Sequence, residues 1–152
     1  MSAAKIAAGV AAWSHFLPKD LIEQRNPPDR WGEAITDPRQ TVLVAEANGV
    51  VAGFSHLRQS GDEDARPETG ELDSFYVHSD WWGKGVGREL LAAATSRLAA
   101  MGFAEATLWT AELNDRPRRI YEKAGWTLDG ARRERALEDH GYVELRYRLA
   151  LQ

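Results

Sequence analysis

Gly83, Gly85 and Gly87 alternate with Lys84 and Val86, and Arg88 follows directly. Between a strand and a helix, such a run makes an anion site: free backbone N–H groups and the positive helix end converge where no Cβ keeps a phosphate away. Lys84 and Arg88 would add charge at that spot. The same glycines could also serve only to shape a tight strand-to-helix turn. Spacing sorts the known phosphate loops. A P-loop needs Ser or Thr after its Gly-Lys, and here Lys84 is followed by Gly85. A dinucleotide fingerprint needs two residues between its second and third glycines, and only Val86 separates Gly85 from Gly87.

Other chemistries are narrowed by composition. The 152 residues contain no cysteine, which excludes disulfides, thiolate zinc sites and a cysteine acyl-enzyme. The four histidines, at positions 15, 56, 78 and 140, lack metal-ligand spacing, so no metal site is expected. No Gly-x-Ser-x-Gly elbow occurs. With 19 Lys plus Arg against 23 Asp plus Glu, the formal net charge of -4 argues against a nucleic-acid partner. No apolar stretch has the roughly 20 residues of a membrane span, and the N-terminus lacks a signal-peptide pattern, so a cytoplasmic protein with no membrane partner is expected.

The elements that must position the glycine loop can be read from periodicity. One domain over residues 1–152 fits the length. Ile6, Val10, Trp13 and Phe16 fall at helical spacings from Ser2 to Phe16, with Pro18 as the stop, and shorter helical stretches are expected around Asp20 to Gln24 and Pro28 to Ile35. Thr41 to Ala47 and Val50 to Leu57 flank Asn48-Gly49, the preferred type I′ turn of an antiparallel hairpin. The polar stretch from Arg58 to Gly70 reads as a mobile loop, a candidate substrate rim. Glu71 to Val77 is a third strand, and Arg88 to Met101 a helix with Leu90, Leu91, Ala94, Leu98 and Met101 on one stripe. The strand Ala104 to Thr110 follows, making a crossover between parallel neighbours. Asn114 and Pro117 open a further helix, with Ile120, Tyr121 and Ala124 on its apolar stripe and Gly125 as its cap. Strands near Trp126 to Arg133 and Tyr142 to Leu149 close the chain. The fold class is α/β, a mixed and mostly antiparallel sheet with at least one parallel crossover.

Two segments carry a resemblance. Tyr76-Val77-His78-Ser79-Asp80-Trp81-Trp82-Gly83-Lys84-Gly85-Val86-Gly87-Arg88-Glu89-Leu90-Leu91 resembles the acetyl-CoA signature of the GNAT N-acetyltransferase superfamily, satisfied at Gly85 and Gly87. Trp82 stands where the family more often has Arg or Gln. Asn114-Asp115-Arg116-Pro117-Arg118-Arg119-Ile120-Tyr121-Glu122-Lys123-Ala124-Gly125-Trp126 is similar to the family's Asn, six residues, Tyr-Glu-Lys-x-Gly-Phe segment, with Trp126 for the Phe. The order and separation of the two motifs also match, and the likeness spans roughly residues 41 to 150. The family's first strand is apparently missing ahead of the N-terminal helix. Either the fold lacks it or a partner supplies an edge, and an uncovered edge would favour a homodimer.

The resemblance implies a splayed parallel strand pair that holds acetyl-CoA as co-substrate. Its pantetheine arm would lie along Phe75, Tyr76 and Val77, and its pyrophosphate on the loop of Gly83, Lys84, Gly85, Val86, Gly87 and Arg88. Asn114 would reach the pantetheine or the bridging region by its side-chain amide, although a plain helix N-cap is an equal reading of that residue. The reaction implied is acetyl transfer to a primary amine, on a small molecule or a peptide. It would proceed directly in a ternary complex. A lysine-like amine with a pKa of about 10.4 is protonated at neutral pH, so a base is needed. Glu71 is the first candidate, acting directly or through a water, with Asp73 in reserve; a solvated strand-end carboxylate is the alternative. Tyr121 matches the family's general acid, against the alternative of core packing. The N–H of Val77 would polarise the thioester carbonyl. Trp13, Phe16, Trp31 and Trp109 could line the acceptor pocket. A non-catalytic acyl-CoA sensing module would need the loop but neither Glu71 nor Tyr121.

Overall fold

The computed structural model describes residues 31–152. The expected helix from Ser2 to Phe16, the stretch Asp20 to Gln24 and the missing first strand lie outside the described residues.

Helix α1 (Trp31–Thr36) precedes β1 (Thr41–Ala47), β2 (Val50–Gln59) and β3 (Thr69–Val77). A short 3₁₀ turn, Ser79–Trp81, leads into α2 (Val86–Ala100). Strand β4 (Glu105–Ala111), helix α3 (Asp115–Lys123) and the hairpin of β5 (Thr127–Leu137) and β6 (His140–Ala150) complete the chain. The six strands run in the order β1-β2-β3-β4-β6-β5, antiparallel throughout except for the parallel β3–β4 pair. The expected mixed sheet with one crossover is what forms.

Local chemistry accounts for most boundaries. Asn48 and Gly49 take φ of 52° and 77°, both left-handed as a type I′ turn requires. Leu90, Leu91, Ala94 and Leu98 bury the stripe of α2 against Leu57, Leu72, Ala106 and Leu108 of the sheet, while Met101 packs partly buried at its end. Ala124, expected on the apolar stripe of α3, is exposed, and Tyr121 alone is buried from that helix. The closing hairpin is longer than periodicity indicates, because Leu137 pairs with His140 across Glu138-Asp139. Glu138 sits at φ 55°, a left-handed turn position with no glycine to announce it.

The segment read as a mobile loop shrinks to residues 60–68 and is tied to the sheet. Arg146 on β6 bonds Asp62 at 3.1 Å, Asp64 through two nitrogens at 2.7 and 2.6 Å, and Asp129 at 2.7 Å. Asp129 reaches Arg146 because β5 bulges around Gly130, at φ 91°. Among the described residues no helix is long and apolar enough to cross a membrane.

Candidate active site

The parallel β3–β4 ladder has three pairs, Thr69 with Glu105, Gly70 with Ala106 and Glu71 with Thr107, and then stops while both strands continue. The strands part where β3 carries an extra residue. Leu72 pairs with Leu57 and Ser74 with His56, leaving Asp73 bulged, and such a bulge bends a strand away from its neighbour. The opening is a cleft of about 1030 Å³. Leu108 and Trp109, adjacent on β4 and so on opposite faces of the sheet, both line it; the cleft therefore passes through the gap between the strands.

The edge of β3 presents backbone to this gap. His78 N–H donates to Ala52 O at 2.7 Å. Antiparallel alternation then makes Val77 opposite Gly53, and Phe75 opposite Ser55, non-hydrogen-bonded pairs whose N–H and C=O point away from β2. Tyr76, between them, turns its backbone to β2 and stacks its ring 5.6 Å from Phe54. The Val77 carbonyl is taken by the indole N–H of Trp82, at 2.9 Å. Trp82 thus makes a polar contact from the atypical motif position, although to backbone rather than outward.

The glycine loop closes one end. Gly83 and Gly85 adopt φ of 73° and 85°, where a side chain would be strained, so they set the turn that aims the chain into α2. Gly85 caps α2 without a side-chain bond, leaving the first-turn amides of Val86, Gly87 and Arg88 facing outward. Lys84 Nζ lies 5.2 Å over the ring of Trp81, and the Arg116 guanidinium 4.4 Å over that of Trp82. Five cations line the cleft from this side, Lys84 and Arg88 from the loop and the start of α2, and Arg116, Arg119 and Lys123 from α3. The arrangement suits a polyanion.

Asn114 is the residue before α3, yet its side chain makes no cap bond; it is buried and lines the cleft. Tyr121 is 5% exposed, its ring 5.8 Å from Phe75 and 6.0 Å from Tyr147, and burial pushes its phenol well above the usual tyrosine range. It both packs in the core and lines the cleft.

Glu71 stands at the apex where the strands part, 6% exposed. Burial raises its carboxyl above the usual range, an effect Arg58 opposes while Asp73 and Asp62 add to it. Arg58 Nη2 lies 3.3 Å from Glu71 Oε2, an ionic contact that misses hydrogen-bond geometry, so this buried oxygen has no hydrogen-bond partner among the described residues. The Gly61 N–H bonds the same carboxylate. Asp73 is more heavily engaged, by Arg58 at 3.0 Å, His56 at 3.0 Å and Ser74 at 3.3 Å.

The structure thus brings Glu71, Phe75, Tyr76, Val77, Gly83, Lys84, Gly85, Gly87, Arg88, Asn114 and Tyr121 around one cleft, while Val86 is not among its lining residues. Of the expected acceptor wall, Trp13 and Phe16 lie outside the described residues, as does the side chain of Trp31; Trp109 lines the cleft with its N–H on Asp62 at 3.0 Å. Sequence reading passed over Arg58, Arg116, Arg133, Arg135 and Glu144. The alternation of Arg133 and Arg135 on one strand was the available signal for the last group. Among the described residues no cluster of His, Asp and Glu could hold a metal.

The chain is similar to known proteins in sequence and in fold. A mycothiol acetyltransferase of Propionibacterium freudenreichii is 30% identical over 123 residues, 81% of this chain and 39% of that protein, so the chain spans about two fifths of that relative. An uncharacterised N-acetyltransferase of Mycobacterium tuberculosis is 29% identical over 119 residues, 77% of this chain and 73% of that protein. The crystal structure of the PaiA N-acetyltransferase of Thermoplasma acidophilum with coenzyme A has the same fold, at a TM-score of 0.75 and 14% identity, covering 98% of this chain and 89% of that one. The model of the acetyltransferase (GNAT) family matches residues 10–126, and the chain belongs to that family.

Proposed function

We propose that this chain, as one catalytic domain, transfers an acetyl group from acetyl-CoA to a primary amine by direct attack in a ternary complex. The observation that carries the reading is the end of the β3–β4 ladder at Glu71 and Thr107, which opens a cleft between a carboxylate at its apex and the glycine loop at its mouth. The outward amides of residues 86–88, the cations beside them and the coenzyme A bound by the PaiA neighbour support acetyl-CoA as the occupant. When bound, it supplies an activated acetyl thioester.

The chain's own groups divide the work. Loop amides and cations hold the phosphates, while the gap-facing backbone of Phe75 and Val77 and the side chain of Asn114 hold the arm. Glu71 accepts a proton from the acceptor amine, and its raised pKa brings it closer to the optimum for a base at neutral pH. The N–H of Val77 faces the gap as a hydrogen-bond donor to the acetyl oxygen. The C–N bond forms as the C–S bond breaks, and the departing sulfur takes the proton of Tyr121. A phenol is protonated at neutral pH and can donate, while burial makes Tyr121 a weaker acid than an ordinary tyrosine.

The test is release of coenzyme A thiol over a panel of amines, comparing the native chain with Tyr121→Phe and Glu71→Gln. Turnover that collapses in both variants supports the enzyme. Tight acetyl-CoA binding with no turnover on any amine would instead identify an acyl-CoA binding module, and no binding would overturn both.

A further inference from the structure

On the face of the sheet opposite α2, the cleft carries charges outside the glycine loop. On β5 and β6, Arg133 and Arg135 both direct Nε to one oxygen of Glu144, at 2.9 and 3.1 Å. The Glu144 side chain is 8% exposed, while those of Arg133 and Arg135 are 32% and 48% exposed. Two guanidiniums on one carboxylate leave a surplus positive charge, and among the described residues only their Nε atoms are bonded. The terminal nitrogens of a guanidinium form a planar fork that fits a carboxylate.

The surroundings hold this fork in place. The Arg133 guanidinium lies 4.1 Å over the ring of Trp109, and that ring is fixed by its N–H on Asp62. Arg146, 5.5 Å from the same ring, is already covered by Asp62, Asp64 and Asp129 and offers no free charge. All three residues of the Arg133, Arg135 and Glu144 group line the same cleft as Glu71. The cleft is therefore polarised, with carboxylates at its apex and guanidiniums farther out.

Register fixes the separation along the strand axis, to which the spacing of about 5 Å between neighbouring strands adds. Glu71 pairs with Thr107 and Glu144 with Ala111, a four-residue offset on β4 that spans about 13 Å. Stacking on Trp109 brings Arg133 back by two residues, to about 7 Å from the Glu71 row. An α-amino acid, whose carboxylate is two bonds from its nitrogen-bearing carbon's amine, is too short to bridge these ends.

Building on the acetyltransferase reading, we propose that the acceptor is an amine bearing a carboxylate several bonds from its nitrogen, the carboxylate held by Arg133 and Arg135 while the amine faces Glu71. The experiment compares 6-aminohexanoate, glycine and hexylamine, by turnover and by calorimetric binding in the presence of coenzyme A. For the native chain, 6-aminohexanoate is expected to exceed both others by about tenfold in kcat/KM or affinity, the scale of one charge-assisted contact. In Arg133→Gln/Arg135→Gln that preference over hexylamine falls below about threefold, with KM for acetyl-CoA as the internal reference. Arg135→Gln alone keeps the Arg133–Glu144 pair and guards against misfolding; it should lower the preference partway. Equal treatment of 6-aminohexanoate and hexylamine by the native chain, a preference unchanged in the double variant, or no binding of any carboxylated amine would overturn the proposal. Loss of acetyl-CoA binding in the native chain would instead overturn the acetyltransferase reading.

Discussion

The guanidinium of Arg116 lies 4.4 Å over the indole of Trp82, so a side chain of α3 covers the start of the glycine loop. A further cation thus reaches the mouth of the cleft from α3, beside Lys84 of the loop. Stacking limits its rotamers, so the charge is held in place at little entropic cost. Arg116→Ala should raise KM for acetyl-CoA about tenfold, on the scale of one charge-assisted phosphate contact, with kcat little changed. Adding Trp82→Arg should recover part of that loss. Steady-state kinetics with acetyl-CoA as the varied substrate checks both.

Glu71 is expected to impose a pH dependence. Its folded-state pKa is raised by burial, so the carboxylate form a base requires is populated only as pH rises through that raised value. The rate should climb with pH on that limb, and Glu71→Gln should flatten it while lowering kcat by about 10² to 10⁴. Stability should move the other way. A raised folded pKa means the charged carboxylate is penalised in the native state, a penalty present at neutral pH and relieved as pH falls. Glu71→Gln should therefore hold or raise Tm at pH 7, since Arg58 retains Asp73 as a partner. A pH–rate profile beside thermal melts tests both halves.

Tyr121→Phe removes one oxygen and keeps the ring that packs against Phe75, Trp126 and Tyr147. Melting should change by little, and kcat should fall by about 10²-fold, with KM for acetyl-CoA nearly constant. Tyr121→Leu, which loses the aromatic contacts, should cost roughly 2 to 4 kcal/mol of stability. Comparing the two by kinetics and denaturant titration separates the hydroxyl from the ring.

Arg146 links loop 60–68 to the apex. It holds Asp62 and Asp64, and the adjoining Gly61 N–H bonds Glu71. Arg146→Ala would leave Asp129 and Asp62, each 14% exposed at the side chain, without this partner, a change worth about 3 kcal/mol or more. It should also raise KM for the amine more than KM for acetyl-CoA. Arg146 holds the Asp64 carboxyl down at about 2, so that contact contributes stability above the unfolded value of 3.8 and loses it as pH falls towards 2. Asp64 is largely exposed, so the effect is small, and Asp64→Asn should weaken the loop without unfolding the chain.

The turn at Asn48-Gly49, the stripe of α2 and the glycine loop were legible in the sequence because each depends on residues adjacent in the chain. A left-handed φ demands a residue that tolerates it, and helical burial demands a 3.6-residue period. The Glu138-Asp139 turn escaped notice because a glutamate in left-handed geometry leaves no compositional trace. The binding of loop 60–68 escaped for another reason: its anchor, Arg146, lies more than eighty residues away.

By itself the sequence determined the sheet class, the glycine loop ahead of α2 and the second motif from Asn114 to Gly125, each a local pattern of glycines, caps and apolar periods. Only the tertiary structure decided that Asp73 is the bulged residue, that Glu71 sits buried at the apex with an unbonded oxygen, and that Arg133, Arg135 and Trp109 share its cleft. The reason is register. Strands meet in the order β3-β4-β6-β5, which joins residues distant in the chain, and a slip of one residue in any pair would turn every side chain to the other face.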